Sequence, residues 1–102
     1  MTIIWSPLAL ECVEAIASYY AVYSHEKALH WFHGVFDAVD RLEDFPQSGR
    51  MVPELNRVDI REILFDDHRV IYRVDSENIR ILTVRHARQD WQDPINEHDG
   101  DA

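Results

Sequence analysis

Residues 57–91, RVDIREILFDDHRVIYRVDSENIRILTVRHARQDW, restrict the fold more than any other part of the chain. Three runs rich in β-branched and alternating apolar residues follow one another at 58–65, 68–74 and 79–86. The gaps between them hold Asp66-Asp67 and residues 75–78, and Asp and Asn tolerate the backbone conformations of a tight reversal. A three-stranded antiparallel meander is therefore predicted. Its last strand contains Ile81-Leu82-Thr83-Val84, a run apolar on both faces, which must be central or covered twice. A single layer of helices covers one face, so the other is left for a partner or for the chain's own C-terminus.

The preceding half reads as that helical layer. Residues 2–5, TIIW, form a short first strand, and Ser6-Pro7 then starts a helix. The serine oxygen caps free backbone N–H groups, and proline at the first helical position loses no hydrogen bond. Leu8, Cys12, Val13, Ile16, Tyr20 and Tyr23 recur at helical spacing. Ser24 caps a second helix, in which Ala28, Leu29, Phe32, Val35, Phe36, Val39, Leu42 and Phe45 form the apolar stripe. Pro46-Gln47-Ser48-Gly49 ends it, and residues 50–56 continue as a loop. The predicted class is α+β: an N-terminal strand, an antiparallel helical hairpin and a three-stranded meander, with the helices on one sheet face. Residues 1–91 make one domain, and the acidic residues 92–102 read as a disordered tail.

Charge is unevenly placed along a chain whose net charge is −9. Residues 1–49 carry two basic and seven acidic side chains, residues 50–88 eight arginines and seven acids, and residues 89–102 five acids with no Lys or Arg. So acidic a chain repels polyanions, which disfavours direct nucleic-acid binding. No apolar run approaches the ~20 residues of a spanning helix, and the N-terminus lacks the basic lead-in of a signal peptide, so a cytoplasmic protein without membrane association is expected. The single cysteine, Cys12, reads as a buried thiol. The six histidines lack zinc-site spacing, and neither a metal nor any other cofactor is expected.

Chemistry, if present, belongs to the arginines. Arg57, Arg61, Arg69, Arg73, Arg80, Arg85 and Arg88 all fall on the meander and its exit. The guanidinium fork pairs bidentately with phosphates or with carboxylates, so these residues can dock a ligand or bridge strands through Asp59, Glu62, Asp75 and Glu77. Glu54, Arg61, Arg69 and His86 could also meet at one rim of the sheet, as an acid–base and phosphate-binding set for attack of an RNA 2′-hydroxyl on its phosphate. No Gly-rich phosphate loop, nucleophile elbow or paired-cysteine motif is present.

Five segments together resemble the ParE/RelE toxin superfamily: W-S-P-x-A at 5–9, F-P-x-S-G-R at 45–50, R-E-I at 61–63, Y-R-V at 72–74 and V-R-H-A-R-Q-D-W at 84–91. The last is similar to the ParE branch, and the resemblance covers residues 2–91. It implies the toxin of a type II toxin–antitoxin module, bound by a cognate antitoxin whose C-terminal segment wraps it. ParE relatives inhibit DNA gyrase, whereas RelE relatives cleave messenger RNA in the ribosomal A site. Arg69 matches the position of a catalytic arginine in ribonuclease members, and Glu54 resembles their general-base glutamate. Those members carry His or Tyr near the end of the last strand and a lysine-rich surface; here Ala87 and Arg88 follow His86, and Lys27 is the one lysine.

The ParE-like reading is thus a gyrase inhibitor acting by protein–protein contact, with Arg61, Arg69, His86 and Arg88 as candidate interaction residues. A ribosome-dependent endoribonuclease, or an inactive member kept as a binding module, are the rival readings. An antitoxin interface is expected on the open sheet face and the hairpin, through Tyr19, Trp31, Arg73 and Arg80, with core packing an equal alternative for Tyr19 and Trp31.

Overall fold

A computed structural model describes residues 1–95. Strand β1 (Thr2–Trp5) leads into helix α1 (Pro7–Tyr23), α2 (His25–Asp40) and a 3-10 turn over Arg41–Glu43. Four strands follow: β2 (Arg50–Met51), β3 (Ile60–Phe65), β4 (His68–Val74) and β5 (Asn78–His86). They join β1 in one sheet ordered β1-β5-β4-β3-β2, antiparallel throughout except for the parallel β1–β5 pair.

Two serines set the helical layer. Ser6 Oγ accepts the Ala9 N–H at 3.0 Å and donates to Leu82 O at 3.0 Å, so the residue that caps α1 also ties it to β5. Ser24, the only residue between the helices, caps α2 by accepting the Lys27 N–H at 3.1 Å, while its own N–H closes α1 on Tyr20 O. The second helix ends earlier than its apolar stripe implied. Leu42 is buried within the 3-10 turn, but Phe45 lies beyond it and is 65% exposed, because the tightened turn rotates the chain off the stripe.

The sheet divides two apolar clusters. Ala9, Val13, Trp31, Val35, Val39 and Leu42 from the helical layer pack on Val70, Tyr72, Ile79, Ile81 and Val84. On the opposite face Val52, Ile60, Ile71 and Leu82 gather, with Leu55, Trp91 and Ile95 against them. The apolar run of β5 is explained by a register shift: Ile71 pairs with Thr83 but Tyr72 with Ile81, so Leu82 is the extra residue. That bulge turns Leu82 toward the second cluster while Ile81 and Val84 stay in the first.

Three elements differ from the sequence-based expectation. Residues 50–51 are a strand rather than loop, paired to β3 through Arg50↔Glu62 and Met51↔Arg61; two residues are too short to display alternation. The first meander strand starts at Ile60, not 58. Finally, the C-terminal cover expected over part of the second face reaches past residue 91: Trp91 and Ile95 pack there and Pro94 is buried. Residues 92–95, assigned to the tail, are therefore placed, and 96–102 lie outside the described residues. Among the described residues no helix is long and apolar enough to cross a membrane.

Candidate functional site

On the sheet face away from the helices, β-strand periodicity puts a carboxylate where an apolar residue would be expected. Glu62 shares its face with Ile60, and its side chain is wholly buried. It is retained because both oxygens are claimed. Arg50, its cross-strand partner, donates from Nε to Oε2 at 2.6 Å, and Arg69, on the other neighbouring strand, donates from Nε to Oε1 at 2.6 Å. The remaining fork of Arg69 grips Glu54 bidentately, at 3.0 and 2.8 Å. Hydrogen bonding by Arg69 holds the Glu54 carboxyl below its usual range, and the Glu54 bond in turn raises the Arg69 pKa. Above this network lies the indole of Trp91, 5.3 Å from the Arg69 guanidinium and 5.8 Å from that of Arg85. Arg85 also donates to Gln92 O at 2.6 Å, which fixes the chain exit across the face.

This arrangement decides what the proposed acid–base set can do. Glu54 and Arg69 come together, but as an ion pair in which every guanidinium nitrogen is engaged within the protein. A phosphate would have to displace a bidentate carboxylate, and a carboxylate held below its ordinary pKa is a weaker base. Arg61 projects to the helical side, where it pairs across the strands with Tyr72 and donates from Nη1 to Gly49 O at 2.9 Å. His86 pairs with His68, whose ring packs on Trp31 of α2, so it too lies on the helical side. The four residues are split between two faces of the sheet and do not form one acid–base centre.

The candidate docking residues separate by exposure. Trp31 is 4% exposed and packs in the core, because its position on α2 faces the sheet, which is the packing alternative for this residue. Arg69 is buried as well, with its guanidinium held between two glutamates. Arg61 is half-buried. Arg73 and Arg80 stand directly opposite each other on β4 and β5, exposed, each relieved by one carboxylate: Asp59 at 3.4 Å and Asp75 at 3.6 Å. Such exposed pairs contribute little stability, so these arginines can exchange partners at small cost. His86, the last residue of β5, and Arg88 beyond it are exposed, and the Arg88 N–H donates to His86 Nδ1 at 3.0 Å. Tyr19 is 62% exposed and stacks edge-on with Tyr23, beside the exposed Val22.

Trp91 and His68 are absent from the sequence-based set, and Glu62 entered it only as a strand-bridging acid. For Glu62 a signal existed, a charge on the face of Ile60 that period two makes apolar; for His68 none did. The His68 imidazole is 5% exposed, stacked among Trp31, Tyr20 and His86. Burial, then the neighbouring His86, pushes its pKa below the ordinary 6.5. The unfolded chain then binds a proton that the folded chain resists, so this contribution to stability is complete above pH 6.5 and is lost as pH falls below it. Urea titrations between pH 7 and 5 should show a falling midpoint, and His68→Gln should flatten that dependence. An unchanged slope in the variant would remove His68 as its source.

Comparison with known proteins agrees with the geometry. Y4kP of Sinorhizobium fredii (strain NBRC 101917 / NGR234), named provisionally as a toxin, is 33% identical over 90 residues, spanning 85% of this chain and 88% of that one. A solved structure described as the chromosomal ParDE TA system from P. aeruginosa superimposes with a TM-score of 0.72 at 24% identity, covering 84% of this chain and 95% of that chain. It shares the fold. The profile of the family described as "ParE toxin of type II toxin-antitoxin system, parDE" matches residues 3–91, and the chain belongs to that family.

Proposed function

We propose that the chain inhibits DNA gyrase by protein–protein binding and is neutralised by a cognate antitoxin. The observation that carries this reading is the state of Arg69 and Glu54. By resemblance they correspond to a ribonuclease arginine and base, yet here Arg69 is bound to both Glu54 and Glu62, on the face opposite Arg61 and His86. A toxin so arranged acts by occupying a partner rather than by cleaving RNA. The net charge of −9 is consistent with a protein target rather than a polyanion. Arg73, Arg80, Arg88, His86 and Tyr19 are the exposed members of the docking set.

Purified chain added to gyrase and relaxed plasmid should abolish supercoiling and accumulate cleaved DNA, and its expression without antitoxin should arrest growth with filamentation. Normal supercoiling at saturating chain, with growth arrest intact, would exclude gyrase as the target. Primer extension on messages after induction then tests cleavage directly, and new cuts would establish the ribonuclease reading. For the antitoxin, Arg73→Glu and Arg80→Glu should each reduce copurification; retention of full binding by both places the interface elsewhere.

A further inference from the structure

At the end of the sheet where β3 turns into β4, a cavity of about 490 Å3 opens between α1 and the strand pair, lined by Ile16, Tyr19, Tyr20, Asp67, His68 and His86 among others. Its lining combines three chemistries. Ile16 and Ala15 give an apolar wall, the tyrosine and imidazole rings give π faces, and Asp67 gives a carboxylate. Asp66, adjacent in the turn, accepts the Tyr20 hydroxyl at 3.0 Å.

One buried polar atom here has no answer within the protein. His68 is 5% exposed, and its Nδ1 has no hydrogen-bond partner among the described residues; the nearest carboxylate oxygen, Asp66 Oδ2, is 3.9 Å away, beyond bonding range. That nitrogen is itself enclosed beneath the cavity wall, so a guest would meet the imidazole ring of His68 rather than its Nδ1. The Asp66–Asp67 turn and the aromatic faces favour positive charge, although one face of Tyr20 already carries Lys27 Nζ at 5.0 Å from its centroid.

We infer that this cavity receives an arginine or lysine side chain from a partner polypeptide, the stem lying on Ile16 and the cationic head held between the aromatic rings and the Asp66–Asp67 turn. A long basic side chain has the two ends that the cavity demands, an apolar stem and a charged tip. A purely apolar anchor would leave the Asp67 carboxylate unanswered, and an anion would face the carboxylates of Asp66 and Asp67. The opposing cations are few: Arg88 is exposed beyond His86, and Lys27 lies on the Tyr20 ring. This deepens the antitoxin reading and rests on it only for which chain donates the side chain.

The test uses the full chain and three free probes: N-acetyl-arginine amide, N-acetyl-lysine amide and N-acetyl-leucine amide. Imidazole and tyrosine ring signals are followed by NMR. The basic amides should produce saturable shifts at His68, His86 and Tyr20, the leucine amide weaker ones. Asp67→Asn, isosteric and in an exposed turn, should weaken the arginine amide about two- to fivefold, the range of one exposed ion pair. Equal binding of leucine and arginine amides, absence of shifts with any probe, or a folded Asp67→Asn that binds arginine amide unchanged would each overturn the inference. Should Asp67→Asn fold poorly, the arginine-to-leucine ratio on the native chain decides alone. Because the probes are free amides, their failure leaves the gyrase and antitoxin assays standing, and failure of those assays leaves the probe result standing.

Discussion

Glu62→Ala should destabilise the protein by about 3 kcal/mol, the lower end of what removing one partner of a buried ion pair costs. For a domain of this size that lowers the melting temperature by about 12–20 °C. The loss has two origins. The variant removes the acceptor for the Arg50 and Arg69 Nε groups, and it leaves Arg69, with its side chain only 11% exposed, balanced by Glu54 alone. That residual bidentate pair keeps the cost from rising further, and Arg50, 61% exposed, returns to solvent. Replacing the pair together, as Glu62→Leu with Arg69→Met, should recover most of the stability, since an apolar pair costs no desolvation of charge. A single-variant loss below about 1 kcal/mol would mean that the network contributes little beyond filling space.

Gly49→Ala should cost about 2–3 kcal/mol, the upper part of the range for overpacking, although it adds one carbon. An alanine Cβ would lie 2.5 Å from the backbone oxygen of Glu62 and 2.5 Å from the Tyr72 hydroxyl. Neither can retreat freely. The Glu62 oxygen belongs to β3, which pairs with β2 one residue beyond Gly49, and the Tyr72 hydroxyl is held by the Gly49 N–H at 3.0 Å and by Pro46 O at 2.9 Å. Combining it with Tyr72→Phe should restore little, because the backbone clash persists and Pro46 O loses its donor. Thermal denaturation of both variants separates the two contacts; full rescue by Tyr72→Phe would show that the backbone yields.

Gly49 also gives a physical meaning to the segment F-P-x-S-G-R. Pro46 supplies the carbonyl for Tyr72, Gly49 allows close approach to β3, and Arg50 delivers the first cation to Glu62. The elements themselves were legible because periodicity reports burial: helical spacing in 8–23, alternation in 60–74 and the Ser6 and Ser24 caps all describe local geometry. The site was less legible, since it depends on which face each residue takes and on what covers that face. Arg69 and Arg73 share one face of β4, yet Arg69 is enclosed by Glu54, Glu62 and Trp91 while Arg73 stays in solvent. Nothing local distinguishes them. Trp31 was similarly ambiguous, because one aromatic on an amphipathic helix serves a core or an interface equally well, and only the position of the sheet separates the two.

The parallel pairing of β1 with β5 has a consequence for the time order of synthesis. Thr2 to Trp5 find their backbone partners at Asn78 to Ile81, and Ser6 caps α1 while bonded to Leu82. The first strand made thus waits for the last. A nascent chain ending before Asn78 can form the helical hairpin and begin the β3–β4 pair, but it has neither the strand that receives β1 nor the side chains Ile79, Ile81 and Val84 that complete the core. Such long sequence separation slows folding and defers it to the end of translation. A prematurely terminated chain lacking β5 would therefore have neither the sheet partner of β1 nor a complete core.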